Sequence, residues 1–233
     1  MSKKIRIATW NLAYPAEKGW KRNPIIQNQI DKIDAHIWIL TETNRVIKPQ
    51  NAAYHKATET DKRHAEGQTR TIIWSCYPIT QSDAKTRYPN TAVCAEIATP
   101  FSNILVYGTI ITWYGRKKPS EKNEHFKAIE WNAQDWADLR PDCVAGDFNE
   151  TLSGPIEYGT KEGRKRLLAA LDASNLTSIT AQMDTYCIDH ICLNKEWAER
   201  ICDQGFWVAP TPLNSKNPVS DHKGFWVDLN FDA

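Results

Sequence analysis

The sequence has no apolar run approaching the length of a membrane-spanning helix. Its start, Met1-Ser2-Lys3-Lys4-Ile5-Arg6, leads into a short apolar run already interrupted by Asn11, so the hydrophobic stretch and cleavage site of a signal peptide are missing. A cytoplasmic location with no membrane partner is the expectation. An excess of charge of one sign is lacking too, because 29 Lys and Arg stand against 28 Asp and Glu, a formal net charge of +1. That argues against a protein that holds nucleic acid by bulk positive charge; any polyanion must be met by local patches or by metal. The six cysteines (76, 94, 143, 187, 192 and 202) mostly lie inside apolar runs and never in Cys-x-x-Cys spacing. A zinc site or a disulfide framework is therefore not expected. Internal repeats, low-complexity segments and linkers are absent as well. The remaining reading is one globular domain over residues 1–233, with 41% hydrophobic and 24% charged residues and length enough for a sizeable core. Its oligomeric state is open, with a monomer as the default.

Tryptophan, by contrast, is abundant, at ten residues. Most are expected in the core, with one or two lining a groove where bases or sugars stack. Short β-branched or aromatic runs bounded by turn formers predict strands over Ile5–Leu12, Ile37–Thr41, Thr71–Cys76, Ala92–Ile97, Ile104–Ile111, Cys143–Gly146, Cys187–Leu193, Phe206–Val208 and Gly224–Leu229. Helices are predicted from near Pro24, after Ser120 as N-cap, and over Glu162–Ala173. Helices interrupt the strands without strict alternation, which implies mixed sheets covered by helices, an α/β or α+β layered domain.

Chemistry gathers at the strand ends. Gly146-Asp147-Phe148-Asn149 follows the buried run Cys143-Val144-Ala145. On an extended backbone Asp147 and Asn149 share a side, so a carboxylate that can deprotonate water stands beside an amide that can hold an anionic oxygen. The first strand ends in Asn11 and the second in Glu42; Asp189 lies within an apolar strand, and Asp221-His222 precedes the last one. Each alone has an ordinary explanation as a turn former, a solvated strand end or a partner for buried backbone. Together they supply hard oxygen ligands for magnesium or manganese, a water activator, and a His that a buried Asp would orient and favour in its charged form. These are the parts of metal-assisted phosphoester hydrolysis.

In this order, Thr9-Trp10-Asn11-Leu12, Leu40-Thr41-Glu42-Thr43, Ser75-Cys76-Tyr77-Pro78-Ile79, Gly146-Asp147-Phe148-Asn149, Ile188-Asp189-His190-Ile191 and Ser220-Asp221-His222 resemble the motifs of the endonuclease/exonuclease/phosphatase superfamily, over residues 5 to 227. The resemblance implies a four-layer α/β sandwich, two mixed β-sheets packed face to face with helices outside. It implies Glu42 as principal Mg²⁺ (or Mn²⁺) ligand with Asn11 nearby and Asp221 assisting metal or leaving group. Asp147 would act on the attacking water, Asn149 would hold a phosphate oxygen, and Asp189 would hydrogen-bond His222, which would bind the phosphate in the transition state. Two positions depart from the family pattern. Ile110 stands where many relatives carry a phosphate-touching His or Tyr, with Trp113 or Tyr114 as the nearest substitutes. Ala13 stands where some carry a polar residue that assists the metal, implying a simpler metal site.

Nucleic acid is the leading substrate expectation. The basic clusters Arg116-Lys117-Lys118 and Lys161 with Arg164-Lys165-Arg166 lie in positions to meet a backbone, and Trp113, Tyr114, Arg116 and Trp207 are the candidate substrate contacts. Two other readings stand beside it. One is a hydrolase of small phosphoesters or of phospholipid or inositol phosphates, favoured by the near-neutral charge. The other is a weak or inactive binding protein on the same scaffold, suggested by Ile110 and Ala13.

Overall fold

The computed structural model describes residues 4–60, 62, 64–80, 84–113, 119–213 and 215–231. Among the described residues the chain order is β1 (Lys4–Asn11), α1 (Asn23–Ile33), β2 (Ile37–Asn44), β3 (Tyr54–Ala57), β4 (Gln68–Ser75), β5 (Ile79–Thr80), β6 (Ala92–Ala98), β7 (Asn103–Ile110), α2 (Pro119–Leu139), β8 (Cys143–Asp147), α3 (Lys161–Ala173), β9 (Leu176–Ser178), β10 (Asp189–Asn194), α4 (Lys195–Ala198), β11 (Ile201–Trp207) and β12 (Gly224–Asn230). One sheet runs β11-β12-β1-β2-β4-β3 and the other β5-β6-β7-β8-β10-β9. Each is mixed, with one parallel pair near its centre, β1 with β2 and β7 with β8, and antiparallel neighbours elsewhere. The chain makes each parallel pair by crossing over through a helix, α1 or α2, as parallel strands require.

Strand alternation sorts the apolar side chains into layers. Ile5, Ile7, Ile37, Ile39, Val106, Ala145 and Ile191 meet between the sheets. Trp10, Leu40 and Trp38 pack outward with Ile26 and Ile30 of α1. Tyr107, Val144 and Phe148 pack outward with Ile129 and Trp136 of α2 and Leu167 of α3. The layers are helix, sheet, sheet, helix, which is the predicted four-layer sandwich. Pro24 sits in the first turn of α1, where its missing N–H costs nothing, and Thr160 caps α3 by accepting the Gly163 N–H at 2.8 Å. All six cysteines are free, and no described helix is long and apolar enough to cross a membrane.

The differences from the sequence reading lie at edges. β3 reads Tyr-His-Lys-Ala and is largely exposed, so it carries no alternating apolar signal. β5 and β9 are too short to register as patterns. β11 begins at Ile201, well before the predicted Phe206, because an edge strand tolerates the polar Asp203-Gln204 on its open side. α2 starts at Pro119, which places Ser120 inside the helix instead of at its cap.

Candidate active site

Both parallel pairs end at the same rim of the sandwich, the arrangement in which α/β proteins gather their sites. β1 ends in Asn11, β8 in Asp147 and β7 in Ile110. Backbone geometry there is unusual. Of seven non-glycine residues with positive φ among those described, four border this rim: Ala13, Tyr14, Glu42 and Asn149. Strained conformers of this kind persist where surrounding structure over-determines them, often at functional sites. At Glu42 the left-handed conformation takes the residue out of the β2–β4 ladder, which pairs Thr41 with Thr71 and Thr43 with Thr69 on either side of it. The freed Glu42 carboxylate faces a cleft of about 440 Å³ and makes no hydrogen bond among the described residues.

Asp147 is buried and held from three sides. Its Oδ2 accepts from Asn11 Nδ2 at 2.9 Å and from Asn149 Nδ2 at 3.3 Å, and its Oδ1 accepts from the Asn149 backbone N–H at 2.8 Å. Asn11 is fixed in turn, since its Oδ1 accepts the Ala13 N–H at 2.8 Å. Asn149 also donates to the Ile111 carbonyl at 2.9 Å. Gly146 has φ 134°, and a Cβ there would lie 1.9 Å from the Thr109 carbonyl oxygen, so only glycine allows the strand to turn into this tip. The second half of the site is His222, whose Nδ1 donates to Asp189 Oδ2 at 2.6 Å. Ser220 sets the approach, donating to the Asn11 carbonyl at 2.7 Å while accepting the His222 N–H at 3.1 Å.

The electrostatics follow from burial. Desolvation, followed by the neighbouring Asp189 charge, pushes the Asp147 carboxyl far above its usual range, and His222 pulls only partly the other way. For His222 burial works against protonation, but the charge and hydrogen bond of Asp189 outweigh it and raise the imidazole to about 10. Burial also raises Glu42. At neutral pH the site therefore holds an imidazolium on a carboxylate, beside a carboxyl with unusual affinity for a proton. That is a fixed positive donor next to a carboxyl that, once ionised, is a stronger base than an ordinary carboxylate, the combination general acid–base chemistry needs.

The residues fit a hard divalent cation. Asp147, Asp189 and His222 offer ligand atoms all within 4.8 Å of one another. Asp189 Oδ1 is buried with no partner. Glu42, Asp147 and Asp221 line one cleft, an oxygen-rich set that suits Mg²⁺ or Mn²⁺ better than zinc. Asp147 is held by Asn11 and Asn149 and Asp189 by His222, whereas the Glu42 carboxylate is open to the cleft.

The structure thus brings Asn11, Glu42, Asp147, Asn149, Asp189, Asp221 and His222 together; Asn11 touches Asp147 through its amide nitrogen. Trp113 is exposed and lines the cleft. Tyr114 and Arg116, with Lys117 and Lys118, lie outside the described residues. Trp207 is a correction: it is not free to stack on a base. It ends β11, is 91% shielded from solvent (9% exposed) and packs edge-on against Trp10 and Trp38 at 5.5 and 6.0 Å between centroids. Its apolar ring fills the outer core above α1. The residues that sequence reasoning missed are Arg70, Tyr88 and Tyr158, which also line the cleft. Only Arg70 left a signal, as a charge opening the apolar Thr71-Ile72-Ile73 run.

No family model matches the chain, and no curated protein matches it. Solved structures do. The AP endonuclease LMAP from Leishmania major superposes with TM-score 0.74 at 12% identity, covering 98% of this chain and 88% of that one. An AP endonuclease from Archaeoglobus fulgidus gives 0.72 at 13%, covering 96% and 98%. The 3' phosphatase NExo from Neisseria, bound to a product DNA hairpin, gives 0.72 at 16%, covering 97% and 100%. At these identities the likeness speaks to architecture: the chain shares the four-layer sandwich of these solved structures, two mixed sheets face to face between helices.

Proposed function

We propose that this chain is a Mg²⁺-dependent phosphoric ester hydrolase acting on phosphodiester bonds of nucleic acid. The observation that carries the reading is the pairing of two oppositely tuned groups in one cleft: the trapped Asp147 carboxyl and the Asp189-supported His222 imidazolium. Asp147 in its ionised form takes the proton of the attacking water, and its raised proton affinity favours that transfer. Asn11 and Asn149 keep its oxygens aimed. His222 donates through its Nε2 face to a phosphate oxygen as negative charge grows there. Glu42 is the principal metal ligand, with Asp221 at the rim. The cation, when bound, neutralises phosphate charge. The proteins named above with this fold act as AP endonucleases or as a DNA-bound 3' phosphatase, which supports nucleic acid over other phosphoesters.

A panel of plasmid, abasic duplex, single-stranded DNA and RNA, and small phosphomono- and phosphodiesters, assayed with Mg²⁺ or Mn²⁺ and with Asp147→Ala as blank, tests this. Cleavage of a nucleic acid by wild type and not by the variant is the expected result. Turnover of the small esters alone would move the assignment to a small-phosphoester or inositol-phosphate hydrolase, the reading favoured by the net charge of +1. No turnover of any probe would leave a binding protein on this scaffold.

A further inference from the structure

Arg70 is the only lysine or arginine among the described residues lining the cleft, where it joins Glu42, Asp147, Asn149 and His222. It sits on β4 beside the point where Glu42 leaves the β2–β4 ladder. Thr71 and Ile73 of β4 face β7 across the sandwich, and Arg70, between Thr69 and Thr71, lines the same cleft as Ile110 at the end of β7. Its Nε is out of contact with solvent and has no hydrogen-bond partner, and its guanidinium forms no ion pair among the described residues. Arg70 is half-buried, and with its Nε unpaired its planar fork is open to a phosphate or carboxylate entering the cleft. Glu42 feels its charge but does not bond it. The wall formed by β7 is meanwhile apolar at Ile110, so no donor comes from that strand end to a substrate phosphate.

Resting on the phosphoesterase reading above, we infer that Arg70 is a substrate-binding residue that grips a non-bridging phosphate oxygen from the β4 side, opposite the His222 side, and so does the work that Ile110 cannot. The substrate class it selects is a phosphate ester carrying full negative charge in the cleft.

Two measurements decide this. The first is kcat/KM for wild type, Arg70→Gln and Arg70→Lys on whichever phosphoester the panel identifies, with the metal titrated for each. The second is binding of inorganic phosphate by calorimetry in chelator, which needs no turnover. Arg70→Gln is expected to lose about ten- to a hundredfold in kcat/KM at saturating metal, the scale of one charged hydrogen bond. Arg70→Lys should recover only part, and millimolar guanidinium should restore some of the activity of Arg70→Ala. Phosphate should bind wild type at least tenfold more tightly than Arg70→Gln. An Arg70→Gln variant with unchanged kcat/KM, or one that changes only the metal half-point, would overturn the assignment and leave Arg70 as a modulator of Glu42. If wild type turns over nothing, the proposed function falls. Arg70 is then judged on phosphate alone: weaker binding by Arg70→Gln upholds its anion-gripping role, and equal binding ends it.

Discussion

Asp147 and Asp189 stand directly opposite each other across the β8–β10 ladder. Like charges at cross-strand positions destabilise a sheet, and these two are both buried. The fold keeps them because each has its own support: Asn11 and Asn149 for Asp147, His222 for Asp189.

Neutralising one member should therefore stabilise the protein while disabling it. The Asp147 carboxyl has an ordinary value of 3.8 and is pushed to about 8, first by burial and then by Asp189. A raised folded value means that the stability tied to the proton is fully present below about pH 4 and is lost as pH rises toward 8. In chelator at pH 8, Asp147→Asn should be more stable than wild type by about 1–2 kcal/mol, in the manner of relieved active-site strain. Urea melts at pH 4.5 and 8 check it; an equal or smaller stability of the variant at pH 8 refutes it.

His222→Ala and Asp189→Asn should each lower kcat by about a hundredfold or more. Asp189→Asn should do so without lowering the melting temperature, since it also relieves the cross-strand repulsion. A variant that melts early, in proportion to its lost activity, would point to a structural role instead.

His190 offers a separate acid switch. It is wholly buried, with Nε2 donating to the Glu150 carbonyl at 3.0 Å and Nδ1 near the hydroxyls of Ser178 and Thr180. Burial lowers it from 6.5 to about 4. A depressed folded value contributes stability above pH 6.5 and loses it as pH falls toward 4, on the order of 3 kcal/mol by linkage. His190→Gln should flatten that part of the stability–pH curve in chelator; an unchanged slope between pH 6.5 and 4.5 argues against it.

Gly146→Ala should cost more than about 2 kcal/mol, because φ 134° and the Thr109 carbonyl leave no room for a methyl group. Trp207→Ala should cost about 3–5 kcal/mol, the usual loss for a large buried aromatic. For Trp207 the informative comparison is Trp207→Phe. It should keep most activity on every substrate, whereas a selective loss on nucleic acid would revive a stacking role.

The sandwich and its central strands were legible because β1, β2, β7, β8 and β10 carry apolar side chains on one or both faces. Ile5, Ile7, Ile37, Ile39 and Ile191 announce the inner layer without help from context. The site was legible for the same reason, since Asn11, Asp147 and Asp189 are polar residues in runs that should contain none. Arg70 and Trp207 show what pattern cannot supply. Whether a charge at a strand's start faces solvent or a cleft depends on Glu42 leaving the ladder, a backbone event no side chain advertises. A tryptophan at a strand end before Val208-Ala209-Pro210 reads as free to stack until Trp10 and Trp38 are known to lie beneath it. Edge strands such as β3 were missed because no side chain of Tyr54–Ala57 is buried on either face, so there is no alternation to read.

Two hydrogen bonds join the halves of this centre, and both cross from one sheet to the other: Asn11 to Asp147, and His222 to Asp189. Ownership of the reacting groups is thus divided, and neither sheet carries a working set. Such a centre cannot be inherited, grafted or duplicated as a single-sheet module. It can drift in its edge strands, while the rim segments that carry Asn149 and His222, and the alignment of one sheet on the other, stay under the scrutiny of the chemistry itself.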